Sequence, residues 1–405
     1  MNSICLFFQV HQTFRLKTYR FFDIGHHKAY FDEYANGYYM QQLAEKSYLP
    51  ANKLIAELIK KHGSKFKVSF NISGIALDLF EQYTPAVLDS FRDLAQTGNV
   101  EFLASTYGHS LASLKSKDEF SRQVKKYEQR IYDLLGVKTK AFANTELIYS
   151  DEIAKKVFDL GYNTIVLEGA KHVLGWKSPN LLYCSSMNPK VKLLLRNFQL
   201  SDDIGFRFSE KSWSEWPLTA EKFTGWIKAI ESKAEVVNLF LNYETFGQRQ
   251  SASTGIFEFM KALPKTIFNK TGFTFRTPSE VSELLQPAFT MQIPFPISWA
   301  DEERDITPWL GNEMQNEAYN KLYNLELMIN GIDDPELSAE WYRLQSCDYL
   351  YGMSTKWISD SVRKHNPSYN GSPYDAFINY MNILSDFEIK VKKEYSLKQT
   401  EMDLI

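Results

Sequence analysis

The residues of this chain best suited to chemistry end or follow short apolar runs. His11-Gln12 follow the first run, and Ser105-Thr106-Tyr107-Gly108-His109-Ser110 follow the third. Asn144-Thr145-Glu146 close the fourth, Glu168-Gly169 the fifth, and Asn242-Tyr243-Glu244-Thr245-Phe246-Gly247 a later one. In a β/α barrel, active-site groups lie at the C-terminal ends of the strands. Hydrogen-bonding groups mixed with aromatics suit a polyol ligand, whose ring faces stack while its hydroxyls take donors and acceptors. Glu146 is the sharpest candidate for carboxylate chemistry, because it ends an apolar run just before a helix start at Ser150-Asp151. The same spacing suits a capping or ion-paired glutamate. His11 taken alone fits a satisfied core histidine, and His26-His27 fit a loop. No His, Cys or carboxylate set has the spacing of a metal site, and there is no Gly-rich phosphate loop or nucleophile elbow. Neither a metal nor a cofactor is expected.

The elements that must position these residues alternate. Apolar runs at 4–10, 66–72, 100–104, 140–144, 164–167, 181–185, 191–195, 236–241 and 273–275 read as strands. Amphipathic stretches at 39–62, 76–96, 117–135, 151–160, 219–232 and 254–263 read as helices. Strand–helix alternation implies parallel βαβ units. The number of units over residues 1–290 suits a closed β/α barrel better than an open sheet. After Pro287 the texture changes. The stretch 291–296 reads as an extended connector, since proline forbids helix there. Helical patterns follow at 312–330, 335–358 and 373–394, with Asp334-Pro335 and Ser372-Pro373 marking two starts. The division expected is a barrel domain over 1–290, then a connector and C-terminal helical bundle over 291–405, with the polar tail from Lys392 frayed.

Composition narrows the function classes. The chain has 405 residues with a net charge of −3, so it carries no electrostatic footprint for nucleic acid. Its 29 Phe, 23 Tyr and 8 Trp exceed the usual aromatic share, and serve both a core and a stacking site. The cysteines Cys5, Cys184 and Cys347 make no disulfide framework. No stretch reaches the roughly 18 apolar residues of a membrane helix. The run 3–10 lacks a basic leader and a small-residue cleavage site, so it reads as a buried strand. A soluble protein of a reducing compartment, the cytoplasm, is expected.

With these residues in view, the sequence resembles glycoside hydrolase family 57, specifically its short α-amylase-like members, over nearly its whole length. His11-Gln12 is similar to the family's first motif, with Thr13 where proline is usual. Residues 98–103, running on to Tyr107-Gly108-His109-Ser110, resemble the second. Phe142-Ala143-Asn144-Thr145-Glu146-Leu147-Ile148-Tyr149 resembles the third, and Leu241-Asn242-Tyr243-Glu244-Thr245-Phe246-Gly247 the fourth. Thr277-Pro278-Ser279-Glu280 resembles the fifth. Ser298-Trp299-Ala300-Asp301-Glu302-Glu303-Arg304-Asp305, Trp309-Leu310-Gly311-Asn312, Thr355-Lys356-Trp357 and Ser372-Pro373-Tyr374-Asp375-Ala376-Phe377 resemble segments of the amylase-like subgroup. The resemblance implies an incomplete seven-stranded β/α (TIM-like) barrel with a helical region behind it. It also implies retaining chemistry on α-1,4-glucans such as starch, glycogen and maltooligosaccharides. Glu146 would be the nucleophile, with a carboxyl acid/base roughly 5–5.5 Å away. His11, Gln12, His109, Glu244, Trp299 and Asp301 would bind substrate.

One position departs from the pattern. The acid/base aspartate falls on Asn242, which can neither protonate a leaving sugar oxygen nor deprotonate water. Gln248-Arg249 also stand where amylase-like members commonly show Glu-His, so the departure reads as natural drift rather than a single engineered change. Short members lacking catalytic carboxylates are part of the resemblance. The expectation is therefore an impaired α-glucan-binding protein. The alternative is an active α-amylase or 4-α-glucanotransferase that recruits Glu244, Glu168 or Asp301 in place of the missing acid. A partner-binding barrel with no sugar site is disfavoured by the presence of Glu146, His11, His109, Trp299 and Asp301.

Overall fold

The computed structural model describes residues 2–356 and 371–403. Its strands are β1 (Ser3–Val10), β2 (Val68–Ile72), β3 (Val100–Phe102), β4 (Phe142–Ala143), β5 (Thr164–Glu168), β6 (Leu182–Ser185), β7 (Lys192–Arg196), β8 (Val236–Asn242), β9 (Thr274–Phe275) and β10 (Phe289–Met291). Seven of them form a parallel ring in the order β1-β2-β3-β4-β5-β7-β8 and back to β1. β3 reaches β4 through one bridge, Ala104 to Phe142. β7 and β8 share one pair, Arg196 with Asn238, because β6 runs antiparallel along Leu193 and Leu194 on the same edge. That wedge is what makes the barrel incomplete, and β10 extends it.

The burial pattern follows from the architecture. All eight residues of β1 are buried, as expected for a strand covered on both faces. Cys5 and Phe7 of β1, Phe240 of β8, Ala143, Val166 and Leu194 form an interior cluster. Phe7 and Phe240 meet edge to face at 5.2 Å between ring centres. The opposite strand faces join a larger cluster under the helices. Side chains alternate along a strand, so the next inward residues beyond Phe7 and Phe240 are Gln9 and Asn242. These two are register partners, and they begin the polar layer at the C-terminal end of the barrel.

Several elements differ from the sequence reading. Runs 181–185 and 191–195 form an antiparallel pair instead of two parallel units; short runs of like pattern cannot reveal strand direction. The helix expected over 39–62 starts at Glu33, where Asp32 caps it, and passes through a π-turn at Ala44–Tyr48. The helix expected over 76–96 is two, because Pro85 begins a new one after Thr84. Residues 289–291, which straddle the boundary expected between barrel and connector, pair as β10. A helix and π-turn over Phe198–Asp202 and Asp203–Arg207, absent from the sequence reading, form one wall of the cleft described below.

Among the described residues, the helices after the connector are Thr307–Leu310, Glu313–Tyr323, Glu326–Ile332, Pro335–Leu344, Cys347–Gly352 and Pro373–Asp403. Asn312 and Asp334 cap two of them through side-chain oxygens. The tail stays helical to Asp403, so the fraying expected from Lys392 is not seen there; Leu404 and Ile405 lie outside the described residues, as do Trp357 and Ile358. These helices dock on the barrel through the loop after β3. Gly108 leaves no room for a side chain, since a Cβ there would lie 2.6 Å from the Tyr342 carbonyl oxygen. The Cys347 amide donates to the His109 carbonyl at 3.1 Å. Among the described residues, no helix is long and apolar enough to cross a membrane.

Candidate active site

The polar layer opens into a cleft of about 640 Å³ between the barrel, the 198–207 wall, the connector and the Cys347–Gly352 helix. Glu146 sits on a single 3-10 turn directly after β4, with φ 52° and ψ 27°. Left-handed backbone disfavours any residue with a Cβ. Among the described residues, seven non-glycine residues have positive φ, and five of them (His109, Glu146, Leu147, Asp301 and Arg304) belong to this site or its support. Strain concentrated at one place is characteristic of functional geometry that its surroundings enforce.

Those surroundings grip the Glu146 carboxylate. Oε2 accepts from the Trp299 indole nitrogen at 2.8 Å, and Oε1 lies 2.8 Å from His109 Nε2 and 3.4 Å from Gln9 Nε2. The Glu146 carbonyl also accepts from the Trp299 amide at 3.2 Å. His109 is fully buried, and burial pushes its pKa down, with His11 adding to the effect. At 2.8 Å from a carboxylate oxygen, which can only accept, the His109 Nε2 is the donor. Its Nδ1 then has no partner among the described residues.

Below Glu146 a relay runs to the helical region. The His11 ring stacks on His109 at 3.7 Å between centres. Its Nδ1 contacts Ser73 Oγ at 2.7 Å and its Nε2 contacts Asp348 Oδ2 at 2.6 Å. Burial alone would raise the Asp348 carboxyl, but His11, His109 and the Ser346 hydroxyl outweigh it and hold Asp348 at about 2.

On the facing side, β8 ends at Asn242, whose side chain does not cap the 3-10 turn that follows. Glu244 rides on that turn. Its Oε1 accepts from the Tyr48 hydroxyl and from Gln12 Nε2 at 3.4 Å. Burial pushes the Glu244 carboxyl up, against the pull of these donors. Asp301 on the connector is also pushed up by burial, with Lys356 at 3.6 Å pulling it down.

Behind Trp299 lies an ionic quartet, with Glu168 and Arg196 buried and Asp202 and Arg304 partly so. Arg196 binds Glu168 at 3.0 Å and Asp202 at 2.5 Å. Arg304 reaches Asp202 at 3.2 Å and Glu168 at 3.6 Å, and it also donates to the Trp299 carbonyl. The Arg196 guanidinium lies 5.5 Å from the Trp299 ring centre. The quartet ties β5, β7 and the 198–207 wall to the loop that holds the nucleophile candidate.

Of the residues singled out from sequence, His11, Gln12, Glu146, Asn242, Glu244, Trp299 and Asp301 line this cleft. His109 does not line it. Its ring is walled in behind Glu146 and orients that carboxylate, whereas the sequence reading had it contact substrate. Glu168, weighed as a stand-in acid, is 1% exposed, does not line the cleft, and is engaged behind it with Arg196 and Arg304. Gln9, Asp348, Arg196, Asp202 and Arg304 were missed as site residues. Strand parity from Phe7 would have pointed to Gln9; nothing local to Asp348 signals a contact with His11. His109, Glu146 and Cys347 place ligand atoms within 4.8 Å of one another. Burial raises the Cys347 thiol well above its ordinary pKa, and the Glu146 oxygens already have donors, so the trio suits hydrogen bonding better than a metal.

Comparison with known proteins agrees with this architecture. The family model described as Glycosyl hydrolase family 57 matches residues 5–294. The chain belongs to glycoside hydrolase family 57. It is 40% identical over 412 residues to a Methanocaldococcus jannaschii protein provisionally named as an alpha-amylase, covering 98% of this chain and 86% of that one. Among solved structures, the 4-alpha-glucanotransferase of Thermococcus litoralis superposes with a TM-score of 0.69 at 14% identity, over 94% of this chain. This family 57 chain spans only 59% of that protein. A family 57 branching enzyme of Thermococcus kodakaraensis gives a TM-score of 0.67 at 14% identity, over 98% of this chain and 94% of its own. These likenesses fix the fold: a TIM-like barrel with a C-terminal helical region.

Proposed function

We propose that this family 57 protein binds α-1,4-glucans (starch, glycogen or maltooligosaccharides) in the cleft and is impaired in cleaving them. The carrying observation is the pairing of Gln9, which touches Glu146, with Asn242 on the adjacent strand. Glu146 is held as a nucleophile should be, with its carboxylate fixed by donors and its backbone strained. The residue that ends β8 in the same cleft, Asn242, carries an amide. Retaining hydrolysis needs a carboxyl there to protonate the departing sugar oxygen and then to activate water. Loss of general acid–base help costs typically ~10²–10⁴ in rate. The cytoplasm is the compartment that suits three buried, unbridged thiols.

A second reading is favoured by Glu244. A carboxyl with a raised pKa, lining the same cleft two residues past Asn242, has the property a general acid needs. The protein would then be an active α-amylase or 4-α-glucanotransferase. One experiment separates the readings: binding and turnover of maltoheptaose by wild type, Glu146→Gln and Glu244→Gln. The first reading expects binding by wild type with negligible turnover. Turnover abolished by either substitution would replace it with the second. Absence of binding would remove both.

A further inference from the structure

A second cavity of about 860 Å³ lies on the far side of the 198–207 wall. Both cavities fall within the size range of small-molecule sites, about 300–1,000 Å³. They share a lining residue, Arg207, at the wall's C-terminal end, where the cleft and this groove come nearest each other along the chain. On the cleft side of the junction, Phe206 is 53% exposed with the Arg249 guanidinium 4.5 Å from its ring centre. On the groove side, Trp213 and Trp226 meet edge to face at 6.1 Å, and the Arg207 guanidinium lies 5.7 Å from the Trp213 ring.

The groove's chemistry selects its ligand. Its charges are mixed, with Lys171, Lys177 and Arg207 alongside Asp203 and Glu215. Arg207 donates to Asp203 at 2.7 Å, Lys171 lies over Phe198 at 5.3 Å and Lys177 over Phe289 at 5.6 Å. What remains is indole surface, together with the buried carboxamides of Asn180 and Asn197, which are bonded to each other at 2.9 Å. Aromatic faces beside amides and charges of both signs match a ligand with apolar ring faces and many hydroxyls.

We propose that this groove is a distal subsite for the same α-glucan chain that occupies the cleft, entered past Phe206 and Arg207. Trp213 is its stacking platform. The proposal rests on the glucan reading of the cleft. Chains that fill only the cleft gain nothing from the groove; longer ones do.

Calorimetric titration of the full chain with maltotriose and with maltooligosaccharides of increasing length tests this. Affinity should rise with length once the cleft is filled. Trp213→Ala should weaken the long chains about three- to tenfold, the range expected for one lost aromatic stacking contact. Maltotriose affinity should not change. Trp213→Leu keeps apolar packing on Trp226 and should behave like Trp213→Ala, which guards against a folding defect. Affinity that does not grow with length, or growth that survives both substitutions, overturns the distal subsite while leaving the glucan reading intact. Failure to bind any length overturns both.

Discussion

The ionic quartet behind Trp299 makes a quantitative prediction. Glu168, Asp202, Arg196 and Arg304 balance two negative against two positive charges, and the Glu168 and Arg196 side chains are 0% and 4% exposed. Glu168→Gln keeps the shape and removes one charge, leaving a net positive charge in the interior. Removing one partner of a buried pair costs about 3–5 kcal/mol. Arg196 keeps Asp202 at 2.5 Å, which favours the lower end of that range. The double variant Glu168→Gln with Arg304→Met restores neutrality, so it should lose less than the sum of the single losses by about 1–2 kcal/mol. Urea unfolding followed by tryptophan fluorescence reads both quantities from midpoints at constant slope. Burial pushes the Glu168 carboxyl up against the pull of Arg196 and Arg304. If burial has won, the group is already protonated at neutral pH and Glu168→Gln is nearly silent. A loss under about 1 kcal/mol would therefore refute the ionic account of the loop.

Other consequences follow from the same site. Asp348 is held at about 2, below its ordinary 3.8. Its contribution to stability, about 2–3 kcal/mol, is present above pH 4 and lost as pH falls toward 2; Asp348→Asn should flatten that limb of the stability–pH curve, and an unchanged curve would contradict the His11–Asp348 contact. Gly108→Ala should lose about 1–3 kcal/mol by thermal or urea unfolding, because its Cβ would press on the Tyr342 carbonyl, which cannot move independently of its helix. An α-maltosyl fluoride needs no proton on its leaving group. Wild type should therefore form a glycosyl adduct on Glu146, detected by mass spectrometry of peptides, and Glu146→Gln should not.

The strands were legible because each is an apolar run between polar helix starts, and the barrel because those runs alternate with amphipathic helices. Ring closure was not. β4 is two residues long, and β7 joins β8 at one pair, so neither joint leaves a pattern in the chain. The direction of β6 was hidden for a similar reason, since short runs that pair parallel or antiparallel have the same composition. At the site, each residue that follows a strand was readable from that position alone. Asp348 was not, because it meets His11 across 337 positions of sequence. The quartet was hidden too. Arginine and carboxylate residues on separate elements look solvated until the fold buries them together. His109 shows the converse limit: its type and place suggested ligand contact, and only the stacked His11 ring reveals that it is walled off.

The central claim is that the cleft lacks one proton donor and little else. Reducing-sugar release from maltoheptaose by wild type and Asn242→Asp, measured side by side with Glu146→Ala in each background, tests it most directly. The account predicts that Asn242→Asp raises turnover by roughly 10²–10⁴ and that Glu146→Ala abolishes the gain. Wild-type turnover equal to that of Asn242→Asp, and lost on Glu244→Gln, would contradict it.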